Sequence, residues 1–307
     1  MGSPEPVVVI EGLCKDYGDL RAVDDLSLTI AKGEVLALLG PNGAGKTTTV
    51  EILEGHRQRS AGVVSVLGFD PATGGRAFRE RIGIVLQDAG FDEEFTVREL
   101  VAMYAGLYPR HRAVDEVIEW VGLADKAKAR TKALSGGQRR RLDLALGLIG
   151  DPELLFLDEP TTGFDPSARH RAWDLISSLR QTGTTVVLTT HYMEEAEQLA
   201  DRVAVIQAGR LVALDTPEDL IADRGAEAVI TFELPGGLAG TDLPRVGSAA
   251  PRVHGAQVEL RTAQPIHDLH VLTGWALDRD LALDGLSMTR PTLEEVYLQL
   301  TGEVSRD

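Results

Sequence analysis

Cysteine is almost missing from this chain. Cys14 is the single thiol, so no internal disulfide can staple the fold, and the lone cysteine suits a reducing cytoplasm. Also missing is any uninterrupted apolar run of the ~18 to 20 residues that a membrane helix needs. The longest candidates, residues 35–39 and 154–157, are strand-sized. Residues 1–6 are short and polar and do not look like a signal peptide. Positive charge is scarce as well: 31 Lys plus Arg stand against 47 acids, a formal net charge of −16. That balance argues against nucleic acid as the main partner and against electrostatic docking on an acidic membrane face. No internal repeat is visible.

What remains is the composition of a folded protein. The 307 residues, 43% of them hydrophobic, are enough for one large domain and one small one, each with its own core. Residues 1–220 alternate apolar strands with amphipathic helices, the pattern of a doubly wound α/β core. Within them, residues 7–10, 26–30 and 63–67 read as strands of a flanking β region. Residues 96–108, 113–121 and 137–149 read as three successive helices, interrupted by Pro109 and Gly122. After about residue 220 the texture changes. Residues 228–234, 253–261 and 281–289 alternate like strands, 265–277 reads as a helix, and residues 234–240 and 247–251 are loop-like.

Three motifs carry chemistry. Leu134-Ser135-Gly136-Gly137-Gln138 precedes a helical run, so its backbone N–H groups and small side chains form an anion-seeking helix start. A given five-letter string arises in a chain this long with a chance on the order of one in a thousand. Upstream, Gly40-Pro41-Asn42-Gly43-Ala44-Gly45-Lys46-Thr47 fits the phosphate-loop pattern between a short apolar strand and a helix that continues through Thr48. Its glycines let the backbone wrap β- and γ-phosphates, Lys46 supplies a point charge, and the Thr47 hydroxyl can bind Mg²⁺. The third motif is an apolar strand ending in Asp158 and Glu159. Neighbouring strand residues point to opposite faces, so the two acids are expected to do different work. Asp158 fits a partner of Mg²⁺ reached through water, and Glu159 fits the group that polarises the attacking water.

Together these residues resemble the ATP-binding cassette (ABC) ATPases, with every motif in family order over roughly residues 7–220. The resemblance implies a RecA-like core with an antiparallel β subdomain and a helical subdomain, followed by a small α+β domain over residues 221–307. It implies that Tyr17 stacks on adenine, that Gln87 touches Mg²⁺ and starts a loop facing a membrane partner, and that Asp165 crosses to an opposite subunit. His191 stands where the family contacts the γ-phosphate. Two small departures are Phe164, where the family often has Leu, and the basic run Arg139-Arg140-Arg141, expected to be a solvated helix face or salt-bridged to the chain's many acids.

In this family each ATP lies between the phosphate loop of one subunit and the pentapeptide of its partner, so a single cassette implies a homodimer for hydrolysis. The membrane-spanning part would be another polypeptide, with this chain peripheral to it at the cytoplasmic face. The tail, and residues 190–206, resemble ATPase subunits of bacterial drug and antibiotic exporters of the daunorubicin-resistance type. The expected function is that of an exporter's ATPase with a hydrophobic drug or natural product as cargo. The alternative is a cassette ATPase acting on ribosomes or DNA. Ribosomal forms usually carry two cassettes and DNA-repair forms a long coiled-coil insertion, neither of which is present here. Finally, Leu293, Val296, Tyr297 and Leu300 form one stripe on a helix capped by Thr292 and Glu295. Core packing and subunit contact are equally open readings of that stripe.

Overall fold

Alternating apolar and polar residues open the chain as a β-ribbon. In the computed structural model, which describes residues 6–85, 90, 94–181, 183–223, 227–236, 238–289 and 292–301, β1 (Pro6–Tyr17) and β2 (Leu20–Ala31) pair antiparallel with Tyr17 opposite Leu20. Both strands run well past the short apolar stretches legible in the sequence. Register shifts along β1 let the pairing continue where strict alternation fails. Next comes β3 (Val35–Leu39), five buried aliphatic residues, which leads through the glycine-rich loop to α1 (Lys46–Leu53). β4 (Ala61–Val66) pairs with β1, and α2 (Gly75–Arg79) precedes β5 (Ile82–Val85).

Three helices follow, α3 (Val97–Ala105), α4 (Val114–Trp120) and α5 (Gly136–Leu148). The first is set by a capping box: Thr96 Oγ1 accepts from the Glu99 N–H at 3.2 Å, and the Glu99 carboxylate accepts from the Thr96 N–H at 2.9 Å. The first unit is completed by β6 (Leu154–Asp158), α6 (Pro166–Gln181), β7 (Thr185–Thr190), α7 (Met193–Leu199), β8 (Arg202–Gln207) and β9 (Arg210–Asp215).

Two sheets result. One is antiparallel, in the order β2-β1-β4; the other has the order β5-β6-β7-β3-β8-β9 and is parallel except for its last pair. Register decides what this sheet can do. Leu39 lies opposite Thr190, and Asp158 lies opposite Thr189, so the residues that leave β3, β6 and β7 do so side by side at the carboxyl edge, where α/β sheets place their ligands. A single core supports that edge: Ile10 and Leu26 of the ribbon, Ile52 and Leu53 of α1, and Leu36, Phe156 and Ile206 of the parallel sheet belong to one buried cluster.

The chain divides into two compact units, Met1–Pro217 and Glu218–Asp307. α8 (Pro217–Asp223) opens the second, which contains β10 (Ala228–Glu233), β11 (Arg252–His254), β12 (Gln257–Thr262), α9 (Pro265–Leu277), β13 (Ser287–Thr289) and α10 (Leu293–Thr301). Its antiparallel sheet has the order β11-β12-β10-β13, over a core that includes Ile230, Phe232, Leu260 and Leu272. Two sequence expectations change here. Residues 253–261 are not one strand but part of a hairpin, because Gly255 at φ +63° and Ala256 form a two-residue turn closed by His254 opposite Gln257. Residues 281–289 contribute only the short β13, paired with β10 through Ser287, Met288 and Thr289.

Leu293 and Val296 of α10 are fully buried and Tyr297 nearly so. Burial within the chain favours the core reading of the stripe over subunit contact. A charge placed there without a partner costs roughly 3 to 5 kcal/mol, so Val296→Asp is expected to lower the unfolding midpoint of the full chain in a thermal melt followed by circular dichroism. A melt within a degree of wild type would return the stripe to the surface.

Candidate functional site

A glycine-rich turn makes the floor of the site. Gly45 has φ +102°, a conformation L side chains rarely adopt, and a Cβ there would lie 2.4 Å from the Ala22 carbonyl oxygen. The loop can therefore close only with glycine at this point. Behind it Lys46 is buried and donates from Nζ to the carbonyls of Gly40 at 2.7 Å and Pro41 at 3.1 Å. Burial lowers the pKa of this ammonium, and the carboxylates of Glu159 and Asp158 pull it back up. The cation is thus held by the carbonyls of its own loop and attracted by two acids at the end of another strand. A polyanion would find it already in place.

Gly45, Lys46, Asp158 and Glu159 line a cleft of about 770 Å³ together with Asn42, Gly43, Ala44, Thr47, Thr48, Tyr17, Arg57 and His191, while Gly40 and Pro41 lie behind this lining and reach it through Lys46. Tyr17 is 38% exposed, with Lys15 Nζ 4.9 Å and the Arg57 guanidinium 5.3 Å from its ring centre. His191 Nδ1 stands 3.0 Å from Glu159 Oε1, while the Thr162 hydroxyl donates to Glu159 Oε2 at 3.2 Å. Asp158 accepts from the Thr189 hydroxyl through Oδ1. Gln87 lies outside the described residues.

One expectation is corrected. Asp158 and Glu159 do not face opposite sides, since β6 ends at Asp158 and Glu159 turns into the left-handed region at φ +47°. The alternation of strand side chains stops there, and both carboxylates enter the same cleft. A left-handed non-glycine residue costs about 1 to 3 kcal/mol, a strain that persists only where its surroundings over-determine it.

Ser135, Gly136, Gly137 and Gln138 are not part of this lining. They start α5, where Ser135 Oγ accepts from the Gln138 N–H at 3.4 Å and Gln138 Oε1 accepts from the Ser135 N–H at 3.0 Å. The serine hydroxyl hydrogen is not used by that cap. A Cβ added to Gly136 or Gly137 would meet nothing within 4 Å, and neither residue has a positive φ. Packing within one chain gives no reason for glycine at either position. Asp165 caps α6, its Oδ1 accepting from the Ala168 N–H at 2.9 Å, and Phe164 is buried against Ala168 and Ala172.

Comparison with known proteins agrees with this geometry. A family described as "ABC transporter" matches residues 23–162, and one described as "ABC transporter domain-containing protein-like, C-terminal domain" matches residues 228–292. Over 98% of its length the chain is 40% identical to the daunorubicin resistance ATP-binding protein DrrA3 of Streptomyces coeruleorubidus, covering 98% of that protein. The chain belongs to the ATP-binding subunits of ABC transporters. It is also 41% identical to the Nod factor export ATP-binding protein I of Rhizobium meliloti, over 99% of this chain and 90% of that one. A solved structure of an ATP-binding subunit of an ABC transporter superposes with a TM-score of 0.66 at 25% identity, covering 71% of this chain and 93% of its own. A dimeric ATP-binding cassette in a post-hydrolysis state, bound to ADP and Pi, shares the fold with a TM-score of 0.62 at 23% identity, covering 68% of this chain and 98% of its own. The fold is that of an ABC ATPase, and the activity of the family is ATP hydrolysis in the service of a transporter.

In this ABC subunit the basic run of α5 also makes backbone contacts: Arg141 Nη1 donates to the carbonyls of Gly122 at 2.7 Å and Val121 at 3.2 Å, and Arg139 Nη2 to that of Lys132 at 3.4 Å. Arg140 is buried and donates to the carbonyls of Asp158, Glu159 and Pro160. A run of three arginines carries no sign of which one is buried. The helix facing the sheet supplies that information.

A second residue escaped the sequence altogether. Glu54, at the end of α1, is buried, and burial, with the charges of Asp158 and Glu51 added, pushes its carboxyl from 4.5 up to about 8. His56 Nδ1 lies 3.2 Å from its Oε2. The raised value fixes the sign of the pH dependence. From about pH 4.5 to 8 the unfolded chain gives up this proton and the folded chain keeps it, so stability is full at low pH and is lost as pH rises to the folded value. Glu54→Gln, which mimics the protonated acid, is expected to raise the melting temperature of the nucleotide-free protein at pH 8.5, by a few kcal/mol equivalent. The gain should shrink towards pH 5. Equal shifts at both pH values would show that Glu54 does not titrate in this window.

Proposed function

We propose that two copies of the chain bind two ATP molecules between them and hydrolyse them to drive export through a separate membrane-spanning polypeptide. The observation that carries this reading is the separation of the pentapeptide from the cleft, with Gly136 and Gly137 facing open space. Glycine in the first turn of a helix is an entropic cost, and it is understandable where another surface must come close to the backbone. A nucleotide held in the cleft of a second copy is such a surface. The Ser135 hydroxyl and the first N–H groups of α5 would then meet its γ-phosphate.

Within each site the roles follow from position. Lys46 and the N–H groups of Gly40 and residues 42–48 hold the phosphates, Tyr17 stacks on the adenine, and His191 contacts the γ-phosphate. Glu159, placed by Thr162 and His191, polarises the attacking water. Asp165 reaches the opposite subunit. Thr47 and Asp158 offer hard oxygen donors on one wall of the cleft, which fits Mg²⁺, with Gln87 as a further ligand. Among the described residues no group of three Asp, Glu, His or Cys side chains is arranged to hold a metal by itself. That fits a cation which takes its other ligands from phosphate and water and which, when bound, neutralises charge on the leaving group.

Among the described residues no helix is long and apolar enough to cross a membrane, so transport calls for a permease subunit, with this chain peripheral to it at the cytoplasmic face. Relatives named for daunorubicin resistance and Nod factor export support export over import, with a hydrophobic drug or natural product as cargo. The second unit acts as the accessory domain of this exporter type.

Glu159→Gln is expected to keep ATP binding while turnover falls by about 10²- to 10⁴-fold, the usual worth of a positioned base. The variant should collect as an ATP-bound dimer on size-exclusion chromatography, and near-normal hydrolysis would move the base elsewhere. Ser135→Arg should abolish hydrolysis by the homodimer and leave binding of a non-hydrolysable ATP analogue intact. Mixed with Lys46→Ala, which loses nucleotide affinity itself, it should regain one competent site of two. Normal activity of the Ser135→Arg homodimer would sink the shared site.

A further inference from the structure

Consecutive carbonyls of a strand point in opposite directions, yet those of Asp158 and Glu159 converge on one donor, Nη2 of Arg140. They do so because Glu159 adopts the left-handed conformation, φ +47°, which swings its carbonyl to the side of its neighbour's. Nε of the same guanidinium reaches the Pro160 carbonyl at 3.4 Å. Three successive peptide units are thus gripped by one planar, permanently charged group that is 8% exposed. On the other side, the Glu159 N–H donates to the Thr189 carbonyl at 3.1 Å. Further along, the buried Glu195 of α7 accepts from the Thr161 hydroxyl at 2.8 Å and from Trp173 Nε1 at 3.3 Å. The turn carrying Glu159 is therefore pinned from both α5 and α7.

We propose that Arg140 is a positioning residue for ATP hydrolysis: it holds the strained backbone of Glu159 so that the carboxylate stays in the cleft, and it joins that backbone to the helix whose start is Ser135–Gly137. This rests on the base assigned to Glu159 above. The guanidinium is not part of the cleft lining. Its effect passes through the Asp158–Pro160 backbone, and without it Glu159 can relax to an ordinary negative φ and turn its carboxylate away from the water it polarises. Because α5 begins with the pentapeptide, the same rigid helix carries the seat for a second copy's γ-phosphate at one end and the clamp on its own subunit's base in its second turn. A displacement of the helix start by the partner's nucleotide reaches Glu159 without any loop in between.

The test compares R140A, R140Q and R140K with wild type in the full-length chain, measuring kcat and KM for ATP, binding of a non-hydrolysable ATP analogue, and thermal unfolding. R140A is expected to lose about 10²-fold in kcat, as a misplaced reacting group does, with analogue affinity unchanged. R140K, which keeps the charge and part of the bonding, should recover most of that loss. In the E159Q background, R140A should reduce kcat no further, because a residue acting through Glu159 has nothing left to position. Wild-type kcat in a folded R140A or R140Q, or losses that multiply in the R140A/E159Q double variant, would overturn the proposal. If R140A does not fold, R140Q and R140K carry the same comparison. Normal hydrolysis by E159Q alone would instead overturn the base assignment, a result that R140A, with Glu159 still present, does not produce.

Discussion

Three parallel strands that end level with one another are the constraint on which the nucleotide cleft depends. Leu39 pairs with Thr190 and Asp158 with Thr189, so a loop near residue 40, an acid at 159 and a histidine at 191 become neighbours although the chain separates them widely. Slip one strand by a single residue and every side chain on it changes face. The buried cluster beneath, which runs from β1 and β2 through the parallel sheet to α1, makes that slip costly. Site geometry and core packing are one fact here.

On this frame the cleft stores two unfavourable arrangements. A lysine is buried behind its own loop, and a glutamate sits in left-handed backbone at a strand end. Each survives because neighbours over-determine it: the Gly40 and Pro41 carbonyls with the 158–159 carboxylates in the first case, and Arg140, Thr189 and Thr162 in the second. Both arrangements put charge where a triphosphate and an attacking water belong, so little reorganisation remains when they arrive. Glu54 adds a buried acid whose carboxyl feels the charge of Asp158 and is pushed up to about 8 chiefly by desolvation.

Local motifs were the legible part. The helix start of α5 is written within five residues, Leu134 to Gln138, and the phosphate loop within eight, because both are solved by backbone conformation and hydrogen bonds to near neighbours. α9 was readable over its full length, Pro265–Leu277, from a proline at its start and its apolar content. The hairpin at Gly255 was not, since two short alternating segments joined by a two-residue turn look like one longer strand until their pairing is known. The burial of Arg140 is hidden from the sequence for a related reason. Burial of one arginine among three depends on which face of α5 meets the end of β6.

The sequence by itself determined the family, the phosphate loop and the acids at the end of β6, all matters of residue type at short spacing. Tertiary structure alone decided that Asp158 and Glu159 share one cleft, that Arg140 binds backbone instead of water, and that Gly136 and Gly137 have no packing need for glycine within their own chain. The physical reason is the same for each. Directions of side chains at the end of a strand, and the desolvation of a charge, are set by what packs against them from distant parts of the chain, and no spacing along the sequence encodes that contact.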